Sequence, residues 1–337
     1  MKVLVTGGAG YIGSHTCLLL LEAGHEIVVI DNLCNSSVEA INRIKSLSGR
    51  DLNFIKCDLR DKLSLEKLFS NYKFDAVIHF AGLKSVSESV TTPLDYYDNN
   101  VTGTVNLLSV MNQNNVKKIV FSSSATVYGQ PNSLPILETM PTSDPVNPYG
   151  GSKLIIENIL IDLFASDTQW QGFSLRYFNP VGAHKSGMIG EDPLGMPNNL
   201  MPHIASAAIG RQEKVFVYGE DYDTSDGTGV RDYIHVMDLA RGHVLALEKT
   251  MSIKGLDFVN LGTGKGYSVL EVIKAFEEVS QRKITKQITS RRDGDIGSCY
   301  ADIQKAKELL GFIPEFGLRE MCEDVWRWQS QNPNGYK

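Results

Sequence analysis

Along the first half of the chain, short runs that are apolar at nearly every position alternate with longer stretches of mixed polarity. The apolar runs cover 2–6, 26–31, 53–59, 75–81, 117–124 and 172–179, as in DAVIHFA and KKIVFSSS. A strand with one wet face alternates apolar and polar residues. Continuous runs instead predict parallel strands covered on both faces. The stretches near 11–23, 37–48, 64–71, 92–115 and 149–166 predict the helices that cover them. This order predicts an α/β fold, a doubly wound parallel sheet. After Asn179 the pattern changes: 180–235 is rich in Gly, Pro, Asn and Asp, with little periodicity before 200–210. FVNLG at 258–262 reads as one more buried strand, able to return to the main sheet. The expected organisation is a first domain over 1–180, joined by a return of 236–262, and a smaller mixed α/β domain over 181–337.

The first strand runs directly into glycines. In KVLVTGGAGYIG, Gly7, Gly10 and Gly13 follow the apolar run and precede a helix that stops near Gly24. Gly7 permits a tight turn, Gly10 lets a pyrophosphate approach the backbone, and Gly13 lets helix and strand pack closely. The helix N-terminus then offers N–H groups and partial positive charge to the anion. The second apolar run ends in Asp31, eighteen residues after Gly13. A carboxylate there accepts from the adenosine ribose hydroxyls and repels a 2′-phosphate. DNLCNSS supplies no Arg or Lys to bind such a phosphate, so the expected cofactor is NAD. The sheet is thus of the Rossmann kind. Ligands in such sheets lie beyond the carboxyl ends of the strands, which directs attention to Asp31, Asp58, Phe80–Lys84, Ser122–Ser124 and Tyr177–Asn179.

Composition narrows the class. With 337 residues and 42% hydrophobic content there is ample core, and a net charge of −6 argues against nucleic acid or anionic membrane as partner. The five cysteines are odd in number and form no C-x-x-C, which fits free thiols in a reducing cytoplasm and no zinc site. No apolar run is long enough to span a bilayer, and the chain begins on a core strand, so no signal peptide is expected.

The chemistry concentrates in NPYGGSK. Tyr149 and Lys153 stand at i and i+4 of a helix that opens after Pro148, and so face the same way. A free tyrosine, with a pKa of about 10, is a poor base at neutral pH. A lysine cation at ~6 Å and an effective dielectric of ~20 favours phenolate by roughly 2.8 kcal/mol, about two pKa units. A nicotinamide cation nearby would add to this. The pair is therefore expected to supply a general base. Ser124, at the end of KKIVFSSS, is placed to hydrogen-bond the same substrate hydroxyl.

TGGAGYIG, SSSATVYG, NPYGGSK and RYFNPVG together resemble the extended short-chain dehydrogenase/reductase family. Across nearly the whole chain, HFAGLKSVSES, YYDNNVTGT, PNNLMPHI, DGTGVRDYIHVMDLA and NLGTGKGYSV look like its UDP-hexose 4-epimerases. The resemblance implies Tyr149 as base, Lys153 as the residue that lowers its pKa and holds the nicotinamide ribose, and Ser124 as the aid to proton transfer. It implies an NAD site lined by Gly7, Gly10, Tyr11, Ile12, Gly13, Asp31, Asn32, Asn35, Ser36, Asp58, Leu59, Phe80, Ala81, Gly82, Lys84, Asn99, Ser122, Tyr149, Lys153, Tyr177 and Phe178. It implies a UDP-sugar site drawn from Lys84, Ser124, Tyr149, Asn179, Asn199, Leu200, Phe216, Tyr218, Arg231, Arg292, Asp295 and Cys299. Independently, Arg231 and Arg292 offer planar forks to a diphosphate, and Asp295 an acceptor to a ribose hydroxyl.

The implied reaction oxidises the sugar at C4, turns the 4-keto sugar over and reduces it on the other face, with no net redox change. One position departs from the pattern. In RRDGDIGSCYAD the bacterial UDP-galactose enzymes often carry a tyrosine where this chain has Cys299. The small side chain implies room for a 2-acetamido group, and so activity on UDP-GlcNAc and UDP-GalNAc. The alternative is a neutral packing replacement in a plain UDP-galactose 4-epimerase. Two rivals stand further off. A 4,6-dehydratase needs an acid after Ser124, where this chain has Ala125 and Thr126, and a non-catalytic NAD sensor has no need of Ser124, Tyr149 and Lys153 together. A homodimer is expected from the apolar residues Leu154, Ile155, Ile159 and Leu163 on more than one face of one helix, which serve equally as internal core.

Overall fold

The computed structural model describes all residues except Met196, Asn198, Asp293 and Gly294. The chain forms two compact units, one of Met1–Gly129, Pro141–Arg176 and Ala240–Val259, the other of Gln130–Met140, Tyr177–Leu239 and Asn260–Lys337.

The first unit begins β1 (Lys2–Thr6), α1 (Tyr11–Glu22), β2 (Glu26–Asp31), α2 (Val38–Ser48), β3 (Asn53–Lys56), α3 (Lys62–Asn71) and β4 (Ala76–His79). Short helices α4 (Val86–Thr91) and α5 (Pro93–Tyr96) lead through a π-helical turn at Tyr97–Thr102 into α6 (Gly103–Gln113). Then come β5 (Lys118–Ser124), α7 (Pro148–Ser166) and β6 (Gln171–Tyr177). The second unit starts with β7 (Asn179–Val181), α8 (Leu200–Ala208), β8 (Val215–Tyr218) and β9 (Val230–His235); the chain then returns to the first unit through most of α9 (Val236–Lys249) and β10 (Gly255–Leu261). The remainder is β11 (Gly266–Ser268), α10 (Val269–Ser280), β12 (Lys286–Thr289), β13 (Ser298–Cys299), α11 (Gln304–Leu310) and α12 (Leu318–Gln331).

The parallel seven-stranded sheet has the order β10-β6-β5-β4-β1-β2-β3. Val3–Val5 and Ala76–Ile78 are fully buried, as expected of strands sandwiched between helix layers. The strand order reverses beside β1, where Val5 pairs with Val29 of β2 on one side and Ile78 of β4 on the other. That reversal is the place where a doubly wound sheet leaves a crevice for ligand. The core beneath α3, α6 and α7 gathers Leu65, Leu107, Met111, Phe121, Ile156 and Trp170.

In the second unit β9 pairs with β11, β13 and β7, while β8 and β12 form a separate parallel pair. Its own core includes Met201, Val217, Tyr233, Phe276, Met321 and Cys322.

Two elements differ from expectation. The helix expected over 92–115 is found from Pro93 to Gln113 as α5, the π-helical turn and α6 in unbroken succession, but the short α4 before it, separated by the non-helical Thr92 (φ −129, ψ 58), is unexpected. The strand expected over 172–179 stops at Tyr177, and Asn179–Val181 pairs with β9 instead.

Candidate active site

The glycine turn between β1 and α1 tolerates no side chain at two of its three positions. Gly7 has φ +69, and a Cβ there would lie 2.6 Å from the Ala81 nitrogen. A Cβ on Gly13 would lie 2.3 Å from the Gly7 carbonyl oxygen. Gly10 is tight as well, its Cβ position lying 3.3 Å from the Gly7 carbonyl oxygen, and it is the N-cap residue of α1. No side chain caps α1 and no acidic residue occupies its first turn, so the positive helix end carries no competing carboxylate. These features fit the pyrophosphate of a dinucleotide.

Asp31, buried at the end of β2, ties this turn to the next loop. Its carboxylate accepts from the Ala9 N–H at 3.1 Å, the Leu33 N–H at 2.9 Å and the Ser36 hydroxyl at 2.8 Å. Asn35 is exposed in the same loop. Asn32 donates to Asp58 at 3.0 Å, and Arg60 beside Asp58 holds that carboxyl well below the usual carboxylate range. Leu59 packs against Gly103, and its carbonyl accepts from Asn106. At the end of β4, Phe80 lies 4.6 Å from the His243 ring, and the Ala81 N–H reaches the Thr6 hydroxyl at 3.3 Å. The Lys84 ammonium lies 5.9 Å over the Tyr11 ring, and Ile12 follows half-buried in α1. Asn99 donates to Asn100, whose side chain spans Leu83 and Ser152, and a Cβ on Gly82 would press on it at 3.3 Å. The strands thus bring the expected residues of this unit to one edge of the sheet.

Asn147 caps α7 by accepting from the Gly150 N–H at 2.8 Å, with Pro148 in the first turn. The helix then carries Tyr149 and Lys153 inward, both buried. The Lys153 Nζ lies 5.9 Å from the Tyr149 ring centroid and donates to the Ser122 carbonyl at 2.8 Å. The Ser124 hydroxyl accepts from the Thr126 N–H at 3.2 Å and the Thr126 hydroxyl at 3.0 Å, and it is the polar group that favours ionisation of the Tyr149 phenol. The separation is the one the spacing predicts, but the electrostatic outcome is not. Burial raises the Tyr149 phenol, and Ser124 only partly opposes it. Burial likewise brings the Lys153 ammonium down to about 8, against the Glu157 charge. Both charged forms lose their hydration, so the lysine alone does not make Tyr149 a neutral-pH phenolate.

In the second unit, Tyr177 and Phe178 open the segment, and the Phe178 N–H donates to Leu261. Asn179 stands opposite Tyr233 of β9. Arg231 and Arg292 converge on one carboxylate: Arg292 Nε donates to Asp295 at 2.9 Å, and Arg231 Nη2 lies 3.8 Å from its other oxygen. The Arg292 guanidinium lies 4.6 Å over the Tyr218 ring, with Phe216 two residues away on the same outer face of β8. Cys299 is half-buried, paired with Arg231 across β13 and β9, and burial pushes its thiol up to about 11. It is a small neutral side chain. Asn199 and Leu200 stand at the start of α8, where Asn199 donates to Glu191 at 3.5 Å.

Sequence reasoning passed over two residues. Asp232, fully buried on β9, accepts from the N–H groups of Thr263, Gly264 and Ala301 and from the Thr263 hydroxyl. His79 joins Thr6 to Thr104 at 2.7 and 2.8 Å, and burial with the nearby Lys153 charge lowers it to about 3. A polar, titratable residue within an apolar run was the available signal for both.

The family model for GDP-mannose 4,6 dehydratase matches residues 4–325. The UDP-glucose 4-epimerase of Bacillus subtilis is 59% identical over 337 residues, covering 100% of this chain and 99% of that protein. That of Homo sapiens is 56% identical over 341 residues, covering 99% and 98%. The solved structure of UDP-glucose 4-epimerase from Bifidobacterium longum in complex with NAD+ and UDP matches with a TM-score of 0.97 at 52% identity, over 99% of this chain and 100% of that one. The broad family name covers dehydratases, but Ala125 and Thr126 follow Ser124 here where elimination needs an acid. Likeness of this extent at both levels means that the chain belongs to the GDP-mannose 4,6 dehydratase family and, within it, to the UDP-glucose 4-epimerases.

Proposed function

We propose that this protein interconverts UDP-glucose and UDP-galactose with NAD as a tightly held cofactor and, through Cys299, also UDP-GlcNAc and UDP-GalNAc. The observation that carries the reading is the buried set on α7 and β5: Tyr149 and Lys153 on one face of α7, with the Lys153 ammonium 5.9 Å from the phenol ring and held by the Ser122 carbonyl at 2.8 Å. Tyr149 takes the proton of the sugar 4-OH and returns it once the 4-keto sugar has turned over. Ser124 keeps the phenol oriented and hydrogen-bonded throughout. Lys153 supplies positive charge near the phenol and would hold the nicotinamide ribose. When bound, NAD supplies a reversible hydride acceptor for C4. Asp31 selects it over NADP. Arg231 and Arg292 hold the diphosphate of the UDP-sugar, Asp295 the ribose, and Tyr218 and Phe216 offer rings to the base.

We place the enzyme in the cytoplasm, consistent with five free thiols. We also propose a homodimer through α7, where Ile155 and Ile161 are exposed. Light scattering showing a monomer at micromolar concentration would remove that part.

The finer claim is tested by a panel of four UDP-sugars on the native protein and on Cys299→Tyr. A phenol ring at 299 fills the acetamido space, and overpacking costs ~1–3 kcal/mol, so kcat/KM for the acetylated pair should fall roughly 5–150-fold. The unacetylated pair should change little. A native protein inactive on both acetylated sugars makes Cys299 a packing residue and the enzyme a plain UDP-galactose 4-epimerase.

A further inference from the structure

Behind the proton-transfer set lies a buried ion pair that no step above employs. Glu157 is one helical turn beyond Lys153 on the same face of α7 and is 1% exposed. Its Oε1 accepts from the Ser123 hydroxyl at 2.7 Å, the Ser174 hydroxyl at 2.8 Å and Arg176 Nε at 3.0 Å. Its Oε2 accepts from Arg176 Nη2 at 2.7 Å. Arg176 is held in turn by the Tyr128 hydroxyl at 3.0 Å and lies 4.6 Å over the Phe258 ring. Two parallel N–H donors on one carboxylate fix orientation as well as distance.

The pattern along β5 gives the pair a function. Three successive residues face the α7 residues in turn: the Ser122 carbonyl holds Lys153 and the Ser123 hydroxyl holds Glu157 by hydrogen bonds, and Ser124 is the polar group acting on the Tyr149 phenol. The middle contact carries the ion pair and lies away from the reacting hydroxyl. We propose that Glu157, locked by Arg176, is a positioning residue for the reaction: it fixes the register of α7 on the end of β5 that brings Tyr149 to Ser124 and Lys153 to Ser122. This rests on the assignment of Tyr149, Ser124 and Lys153 above.

The same carboxylate is the anionic group facing Lys153. The other groups around the ammonium are the Tyr149 phenol on α7, the Ser122 carbonyl and Phe121 ring on β5, and His79 on β4, which stays neutral around pH 7. Arg176 on β6, beyond Glu157, is a cation. Glu157 opposes the loss of the Lys153 proton that burial favours. Without it, Lys153 deprotonates at lower pH, and the charge that favours phenolate disappears there.

The experiment compares Glu157→Gln, Ser123→Ala and Tyr149→Phe with the native enzyme, all assayed per equivalent of bound NAD. Glu157→Gln should lower kcat about 10–100-fold, the scale of an ångström-level misplacement, with KM for UDP-galactose nearly constant. The alkaline limb of its kcat profile should move to lower pH. Ser123→Ala leaves the ion pair in place, so it keeps the fold, and it should lower kcat several-fold with the limb unmoved. Should Glu157→Gln fail to fold, unchanged kcat in Ser123→Ala overturns the proposal. If Glu157→Gln folds, native kcat per NAD-loaded site and an unmoved limb overturn it, leaving only a structural ion pair. If Tyr149→Phe is fully active, the assignment of the reaction fails first; if it is inactive while both other variants are native-like, only this inference fails.

Discussion

The two polar clusters of this molecule are built in opposite ways. In the first unit, Ser124, Tyr149, Lys153, Glu157 and Arg176 are all buried, and Ser124, Lys153, Glu157 and Arg176 each have a side-chain hydrogen-bond partner within the unit. In the second, the Arg292 side chain is 54% exposed and Arg231 21%, and they share the single carboxylate of Asp295. A group that moves a proton must be held before substrate arrives, and desolvation is what tunes it. A group that grips a diphosphate needs charge and reach, and Asp295 satisfies it meanwhile at the modest strength of an exposed ion pair. Damage to the first cluster should therefore appear in kcat, and damage to the second in KM.

The sharpest break comes from Tyr149→Phe. It deletes one oxygen from a buried ring, so the fold and bound NAD should survive while kcat falls about 10²–10⁴-fold. A rate near native would remove the distinction between the clusters. Arg231→Met should do the reverse, raising KM for UDP-galactose about 10–100-fold, the value of one or two charge-assisted hydrogen bonds, with kcat nearly unchanged. Loss confined to kcat would show that Arg231 serves the chemistry. Asp31→Ala has the smallest effect: retention of NAD should weaken about tenfold and the gap to NADP should narrow. The Asp31 carboxylate also holds the Ala9 N–H, so some of that loss is in the loop itself. Competitive binding of the two dinucleotides measures it, and equal affinity for both in the native protein contradicts the role.

The same contrast explains how far the sequence could be read. The parallel strands were legible because burial on both faces leaves continuous apolar runs, and Val3–Val5, Val28–Ile30 and Ala76–Ile78 are indeed buried throughout. The glycine turn was legible because Gly13 is crowded by Gly7 and Gly8 within the turn and Gly7 takes a positive φ, although the Ala81 backbone that also crowds Gly7 lies far off in sequence. Tyr149 and Lys153 were legible from helical spacing. The acidity of Tyr149 was not, since it depends on how much protein covers the phenol, and burial reversed the expected direction. Glu157 was not either: one acid on a helix reads as solvated until Arg176, nineteen residues on, is known to face it. The helix over 92–115 was legible because Pro93 marks its first turn, but the six-residue α4 before it was too short to show a period.

The central claim is that Tyr149 removes only the hydroxyl proton of the sugar, while the hydrogen on C4 leaves and returns within the site. The direct measurement is turnover of UDP-galactose in D2O with no added cofactor, followed by proton NMR of the UDP-glucose formed. The account predicts full retention of protium at C4 and no dependence on external NAD. Deuterium at C4 of the product would mean that the carbon exchanges with solvent, and would contradict it.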